Sequence, residues 1–303
     1  MIGIKSKRII SDTIIYVVLT IMIVIWLFPL LWMIMRAFDV NSSSSSLTVF
    51  PEEYTFNNFL ALFVGGHKFW PNKFPSIDYE VNPYGTWMIN TAIIAAGACI
   101  ISTLMVLMVS YALSRLRFNM RKKLMNIALI LGLFPGFLSM IILYYFFKNI
   151  GLAASTSRVM NLLGLILSYS LAAGTGYYIV KGFFDTVPMA IDEAARIDGA
   201  TKNRIFWQMI IPLSKPIIIY TVLTTFIGPW CDFMMAKVFV GNNVDSMTIA
   251  VGLQKWLADR EVSEKYFTRF CAGGVVISIP IVTLYLIMQK FYVAGITGGA
   301  AKG

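Results

Sequence analysis

Hydrophobic residues are concentrated in six long runs, each bounded by charged residues, proline or glycine. The runs cover about residues 14–35, 87–113, 124–147, 159–180, 216–238 and 270–291. A helix needs roughly 20 residues to cross the ~30 Å hydrocarbon core of a bilayer, and each run is close to or above that length. The pattern predicts an all-α integral membrane protein with six transmembrane helices.

The composition agrees with this prediction, because 58% of the residues are hydrophobic and only 13% are charged. Those proportions exclude an ordinary soluble domain. The first run follows Lys5, Lys7 and Arg8. It is longer than the roughly 7–15 apolar residues of a cleavable signal peptide, so we interpret it as the first transmembrane helix.

Basic residues in the connections give the orientation, because Lys and Arg are retained on the cytoplasmic side. With the N-terminus inside, the cytoplasmic segments contain 15 of the 25 Lys and Arg residues but only five of the 15 acidic residues. Both termini are therefore predicted to be cytoplasmic. The basic segment 115–123 is interpreted as a topology signal only. Membrane topology explains the net charge of +10, so no nucleic-acid partner is expected.

This topology divides the chain into a cytoplasmic N-terminus (1–13), a first transmembrane helix (14–35), a long outer loop (36–86), a five-helix core (87–293) and a cytoplasmic C-terminal tail (294–303). In the outer loop, the serine run at 42–46 predicts a flexible hinge. The spacing of four apolar residues predicts an amphipathic surface helix: Phe56, Phe59, Leu60 and Phe63. Aromatic residues between 65 and 85 indicate either anchoring at the membrane interface or contact with an external protein.

A polar stretch between the fourth and fifth runs, residues 186–212, carries the signals of two helices joined by a turn. Thr186 and Pro188 are typical of a helix start. Gly199 is typical of a helix end, because glycine readily adopts the left-handed conformation that closes helices. Thr201 can cap the second helix. The apolar stripe of that helix is formed by Ile205, Phe206, Met209 and Ile210.

The first of these two helices has features suited to docking. Asp192 and Glu193 lie early in the helix, where the helix dipole favours carboxylates. Ala194 and Ala195 form a thin face that another protein can approach closely. An alternative is that the helix pair simply braces the bundle. Pro212 closes the second helix before the fifth run begins.

The residue types offer no catalytic or metal site. His67 is the only histidine, and Cys99, Cys231 and Cys271 lie in apolar runs without the spacing of metal ligands. Neither GxxxxGKS nor GxxxxGKT, the phosphate-loop pattern, occurs in the sequence. We therefore expect no catalytic residue, no metal and no cofactor in this chain.

Polar residues within the runs are candidates for a translocation pathway. Asp232 is the only acidic residue inside a run, and a carboxylate at membrane depth usually pairs or faces water. Pairing with Lys237 and lining of a pathway are both open. Further candidates are Trp230, Asn90 and Tyr169, together with Ser102, Thr103, Ser168 and Thr225. Hydrogen bonds between helices would need the same residue types.

The polar stretch resembles the EAA signature of the inner-membrane permease subunits of binding-protein-dependent ABC importers. The matching residues are Glu193-Ala194-Ala195, Gly199, Met209 and Ile211-Pro212, with Met209 and Ile211 replacing the usual Ile and Leu. The ending GITGGAAKG is similar to the tail of the G-type subunit of maltose and related oligosaccharide importers. Trp230 to Phe233 resembles a segment of the fifth span in that branch, interrupted by Cys231.

The resemblance implies the fold of a type I ABC importer permease, with residues 186–212 as the coupling helix that fits a cleft on an ATPase subunit. The implied coupling residues are Glu193, Ala194, Ala195, Asp198, Gly199 and Pro212. The tail residues Gly298, Gly299 and Lys302 either contact the ATPase or form a frayed terminus. The implied partners are a second homologous permease, two cytoplasmic subunits that hold ATP and magnesium, and an extracytoplasmic solute-binding protein, all at a bacterial cytoplasmic membrane.

The expected function is therefore non-catalytic import of a carbohydrate, with an oligosaccharide favoured. Another solute, such as a glycerol phosphoester, is an alternative. An ion-coupled carrier is less well supported, because it should show several intramembrane acids or two inverted halves. A membrane enzyme would need a catalytic constellation that the sequence does not offer.

Overall fold

The structure is a computed structural model that describes residues 4–41, 49–64, 83–172, 176–258 and 260–300. The serine run, His67 and the aromatic-rich segment from 65 to 82 lie outside these residues. In the described part, the chain forms helices and no strand, with one isolated bridge between Asp39 and Tyr54.

The helices, in chain order, are α1 (Ile4–Ala37), α2 (Asn57–Val64), α3 (Tyr84–Arg115), α4 (Arg121–Gly132), α5 (Gly136–Asn149), α6 (Arg158–Ala172), α7 (Tyr177–Thr186), α8 (Met189–Ile197), α9 (Lys202–Ile205), α10 (Ile211–Leu213), α11 (Lys215–Cys231), α12 (Met234–Val240), α13 (Ile249–Lys255) and α14 (Arg260–Ala300). A π-helical segment, Phe206–Ile210, joins α9 to α10, and a 3-10 turn covers Val244–Ser246.

Three helical segments are long and apolar enough to cross a membrane: Ser11–Ala37, Tyr84–Arg115 and Tyr266–Gln289. They correspond to the first, second and sixth apolar runs. Each of the other three candidates is a pair of helices joined at a sharp bend. The structure therefore contains three unbroken candidate spans, or six when each bent pair counts as one.

The bends correct the expectation of continuous third and fifth helices. α4 and α5 meet at 99°, just before Gly136. Pro135 has no N–H and disfavours the helical conformation of the residue before it, so the third run breaks there. The fifth run is interrupted at Asp232, between the end of α11 and the start of α12. α9 and α10 also meet α11 at 84°.

One compact unit contains residues 1–84 and 253–278. Its interior includes an ion pair between Arg36 and Asp39, both buried. The predicted amphipathic helix is present as α2, but its buried residues are Ala61 and Leu62, while Phe63 is exposed. Exposed Leu60 and Phe63 are compatible with a helix that lies on a surface, so that interpretation stays a prediction. Asn58 explains the observed orientation, because its amide donates to the carbonyl oxygen of Asp39 at 2.7 Å.

The second unit contains residues 85–252 and 279–303, and polar side chains fasten one end of it. The Asn90 amide donates to the carbonyl oxygens of Asp245 and Met247, at 2.8 Å each. Its own oxygen accepts a hydrogen bond from Arg158 Nε at 2.8 Å. Asn161 similarly donates to Ser246 Oγ at 3.0 Å. These bonds connect α3 and α6 to the segment between α12 and α13.

Close packing within this unit leads to a stability prediction. Gly252 faces Trp87, and a methyl group on its Cα would overlap the indole ring. Overpacking of this kind costs about 1–3 kcal/mol, so Gly252→Ala should lower the thermal unfolding temperature of the detergent-purified chain. Gly182→Ala is the matched control, because a methyl group there meets no atom within 4 Å. Equal unfolding temperatures for the two variants would contradict this packing.

Candidate functional site

The first helix of the polar stretch, α8, begins directly after Pro188, whose restricted φ suits a helix start. Thr186 does not cap it, because its hydroxyl donates to the carbonyl oxygen of Phe183 at 2.7 Å, in the last turn of α7. The predicted capping of α8 by Thr186 is therefore wrong. Asp192 lies in the first turn of α8, as the sequence indicates.

Gly199 closes α8 in the left-handed conformation, with φ of 77°. The N–H of Gly199 donates to the carbonyl oxygen of Arg196 at 3.0 Å, and that of Ala200 donates to Ala195 at 2.9 Å. This pair of bonds is a Schellman motif. A Cβ at this position would meet no atom within 4 Å, so the backbone conformation alone requires glycine. The predicted helix end is confirmed.

The second helix is capped as predicted, because Thr201 Oγ1 accepts a hydrogen bond from the Arg204 N–H at 3.3 Å. After α9 the helix widens into the π-helical segment, where the Ile211 N–H donates to the carbonyl oxygen of Phe206. Pro212 follows immediately in α10 and is exposed. The predicted apolar stripe is confirmed: Ile205, Phe206 and Ile210 are buried, and Met209 is half-buried.

The two faces of α8 differ from the expectation. Ala195 is 2% exposed and belongs to the core, as does Asp192 on the same face. Ala194 lies on the opposite, exposed face, together with Glu193. The two alanines therefore do not form a single thin face. Ile197 is 86% exposed and is the most prominent apolar side chain of α8. Asp198 and Gly199 are exposed at its end.

Arg115, at the end of α3, links α8 to the rest of the unit. Its guanidinium donates to the carbonyl oxygens of Phe184 at 2.5 Å and Val187 at 2.7 Å. It also contacts the Met189 sulfur at 3.0 Å and Asp192 Oδ2 at 3.5 Å. Arg115 is only 4% exposed. The interpretation of its segment as a topology signal alone is therefore wrong for this residue.

Three further polar side chains in the last turns of α3 support the same junction. Ser110 Oγ donates to the carbonyl oxygen of Tyr177 at 2.9 Å, and the Tyr111 hydroxyl donates to that of Lys202 at 3.1 Å. Ser114 Oγ donates to Asp185 Oδ1 at 2.6 Å. The spacing of 110 with 114 and of 111 with 115 is a polar i, i+4 pattern at the end of an apolar run. That pattern is the signal that sequence reasoning missed.

A cavity of about 330 Å³ lies in the same unit and is rich in hydroxyl groups. The hydroxyl-bearing lining residues are Ser102, Tyr169, Tyr220, Thr221, Thr224 and Thr225. Ser102, Tyr169 and Thr225 were expected from the sequence, whereas Thr221 and Thr224 were missed. Thr221, Thr224 and Thr225 lie on one face of α11, at i, i+3 and i+4. None of the lining residues is charged.

The other pathway candidates lie outside this lining. Asp232 is half-buried at the break after α11, where its Oδ1 accepts from the Met235 N–H at 3.2 Å and so starts α12. No ion pair between Asp232 and Lys237 is found among the described residues. Trp230 is buried, with its ring 6.0 Å from that of Phe226.

Asn90, the remaining candidate, uses its amide in the hydrogen bonds to Asp245, Met247 and Arg158 described above. This placement favours a role in joining helices over contact with cargo. In the tail, Gly298 and Gly299 belong to α14, which continues to Ala300. Lys302 lies outside the described residues.

Comparison with known proteins assigns this chain to one family. Residues 109–298 match the family described as binding-protein-dependent transport system inner membrane component. The galactooligosaccharides transport system permease protein GanQ of Bacillus subtilis is 33% identical over 299 residues, which cover 99% of this chain and 98% of the relative. The maltodextrin transport system permease protein MalD of Streptococcus pneumoniae is 31% identical over 302 residues, 99% of each chain.

A solved structure agrees with the fold. A chain of a bacterial ABC transporter involved in the import of the acidic polysaccharide alginate superposes with a TM-score of 0.73 and 19% identity, covering 96% of this chain and 99% of that chain. The family match extends over more than half of the chain, and the sequence relatives align with almost all of it. The protein therefore belongs to the family of inner membrane components of binding-protein-dependent transport systems.

Proposed function

We propose that the chain is a permease subunit of an ATP-driven importer for an oligosaccharide. In this proposal the three unbroken candidates, the bent pairs α4–α5 and α6–α7, and α11 form six spans with both termini in the cytoplasm, while α8–α10 lie on the cytoplasmic side. A second homologous permease completes the pathway. Two cytoplasmic subunits bind ATP and magnesium, and an extracytoplasmic solute-binding protein delivers the cargo.

The proposal rests on the way in which the helix pair α8–α10 has one buried face and one exposed face. One face of α8 is fixed to the core through Asp192 and Ala195, while the opposite face presents Ala194 and Ile197 to solvent. An exposed apolar side chain beside small residues fits a concave partner surface, because a bulky knob can enter a groove while the small residues permit close approach. This face supports docking of an ATPase subunit.

The same helices that hold the pair also line the cavity. α3 contributes Arg115 to the junction and Ser102 to the lining. α11, which follows the pair at an 84° bend, contributes its threonines to the lining. A displacement of the pair by a partner would therefore move two walls of the cavity together. Rigid-body motion of packed helices of this kind is an established way to switch access.

The lining supports a carbohydrate as cargo. The hydroxyl groups of Thr221, Thr224 and Thr225 already donate to carbonyl oxygens of α11, so they offer their lone pairs as acceptors to the hydroxyl groups of a sugar. A phosphoester would call for a cation, and the lining contains none. The names of the relatives add to this, since they are permease proteins for galactooligosaccharides and maltodextrin. A glycerol phosphoester is therefore less well supported than an oligosaccharide.

Reconstitution tests the function. Co-purified permease and ATPase subunits, placed in liposomes with the solute-binding protein, should accumulate a labelled maltodextrin only when ATP is supplied on the ATPase side. Ile197→Asp should abolish uptake, because it places a charge in the apolar contact with the ATPase. Ile150→Asp is the control, since Ile150 is 55% exposed at the end of α5, far along the chain from the helix pair.

Two results would reject this function. One is transport by the purified chain without any ATPase subunit. The other is full ATP-dependent uptake by Ile197→Asp with the ATPase bound as in the wild type.

The Arg115 junction leads to a separate prediction. Arg115→Ala leaves the Asp192 carboxylate buried without its cation, and loss of one partner from such a pair costs about 3–5 kcal/mol. We expect a large decrease in the thermal unfolding temperature of the purified chain. Arg115→Lys should restore only part of it, because an ammonium group lacks the planar fork that reaches several acceptors. Lys123→Ala is the control, since Lys123 is exposed. A variant Arg115→Ala as stable as this control would show that the junction contributes nothing.

Gly199 gives a prediction about coupling. A β-branched residue is strained in the left-handed conformation, so Gly199→Val should distort the end of α8. We expect ATP-dependent uptake to be lost while membrane abundance stays normal, because the residue is exposed and outside the core. Gly182→Val is the control, since Gly182 has neither a positive φ nor a close neighbour. Normal uptake by Gly199→Val would contradict the role of this turn.

A further inference from the structure

The basic segment that follows Arg115 is not used by the proposed coupling. Arg117, Lys122 and Lys123 are exposed and Arg121 is half-buried. None of the ion pairs between described residues includes these four cations. Arg121 lies within electrostatic range of Asp185, but that carboxylate already accepts hydrogen bonds from Ser114 and Lys181. The segment therefore keeps an excess of positive charge.

Two concave surfaces adjoin at Arg117. The larger, of about 380 Å³, is lined by Arg117, Phe118, Asn119, Arg121 and Lys122. It contains three cations, an amide and an aromatic ring, and no acid. Such a lining suits a phosphate group, which accepts several charge-assisted hydrogen bonds.

The smaller concave surface, of about 280 Å³, has a different chemistry. Its lining includes Arg115, Arg117, Arg196 and Lys202, but also Asp192 and Glu193. Arg115 and Asp192 are 4% and 2% exposed, and each keeps one buried atom, Nε and Oδ1, without a partner in the chain. Arg115 Nε is a hydrogen-bond donor and Asp192 Oδ1 is an acceptor. A hydroxyl group can satisfy both, since it accepts from the first and donates to the second.

The surroundings favour a lipid over a protein as the source of these groups. α4 begins with three cations and contains no buried residue. Its later side chains Leu124, Ile127 and Leu131 are between 46% and 61% exposed, so a basic first turn continues into an apolar surface. Cations in the first turn are disfavoured by the helix dipole, and a bound anion offsets this. A headgroup beside the cations with acyl chains along α4 matches this order of residues.

We propose that these adjoining surfaces bind the headgroup of an anionic phospholipid with a glycerol head, the chemistry of phosphatidylglycerol. The phosphate lies among Arg117, Arg121 and Lys122, and the glycerol hydroxyls reach the unpaired atoms of Arg115 and Asp192. This inference rests on the cytoplasmic placement of the segment in the proposed function.

Native mass spectrometry of the intact transporter complex tests the site. The complex is released from nanodiscs of phosphatidylcholine that contain either phosphatidylglycerol or phosphatidylserine, two lipids of equal charge. The wild type should retain phosphatidylglycerol in preference to phosphatidylserine. The triple variant Arg117→Gln, Arg121→Gln, Lys122→Gln should retain at least about tenfold less. The control Lys148→Gln, Lys237→Gln, Lys255→Gln removes the same charge from exposed positions elsewhere and should retain the lipid.

Three outcomes would overturn the proposal. Equal retention by the triple variant and the control would show that the lipid binds elsewhere. Displacement of the lipid by millimolar inorganic phosphate, with phosphate bound in its place, would assign the site to a free anion. Loss of the ATPase subunits from the triple variant, with the lipid retained, would assign the segment to protein docking. The lipid readout requires no transport, so its failure is separate from any failure of the uptake assay.

Discussion

A single buried guanidinium determines how the junction of α3, α7 and α8 in the second unit is built. A buried charge is tolerated only when it is paired and hydrogen-bonded. Arg115 obtains its partners from Phe184 and Val187, at the end of α7, and from Asp192 in α8. The last carbonyl groups of a helix lack partners within it and carry partial negative charge, so they are suitable acceptors for a cation. The corner between α7 and α8 and the burial of Arg115 are therefore mutually dependent, and the direction of α8 follows from that corner.

This junction gives the helix pair two distinct sides. The side that contacts α3 is held by directional hydrogen bonds and by a small buried side chain, Ala195. The other side is held by nothing within the described residues and exposes Ile197. An element that transmits force between proteins needs a rigid attachment on one side and an apolar contact surface on the other. Because α3 and α11 both leave this region and both line the hydroxyl-rich cavity, the same construction connects the exposed face of α8 to the cavity.

Sequence reasoning recovered the features that depend on local conformation or on average hydrophobicity. The apolar runs, the left-handed Gly199, the Thr201 cap and the stripe with Ile205 are of this kind. It failed where the outcome depends on tertiary partners. Hydropathy does not report the bend before Gly136 or the break at Asp232, because both sides of each break remain apolar. Periodicity did not separate Ala194 from Ala195, since adjacent residues of a short helix can be assigned to faces only when the core is known. Arg115 was missed because its acceptors are mainly backbone carbonyls, which any residue type provides.

The order of residues along the chain has a consequence for biogenesis. Arg115 precedes its carbonyl acceptors by 69 and 72 residues. Ribosomal synthesis runs from the N-terminus to the C-terminus, so the donor is already at the end of α3 when the acceptors leave the ribosome. The corner between α7 and α8 is then joined to a partner made earlier, and Ile217 of α11 completes the surrounding core afterwards. The hydrogen bonds of Arg115 can thus form while the rest of the polypeptide is still being translated.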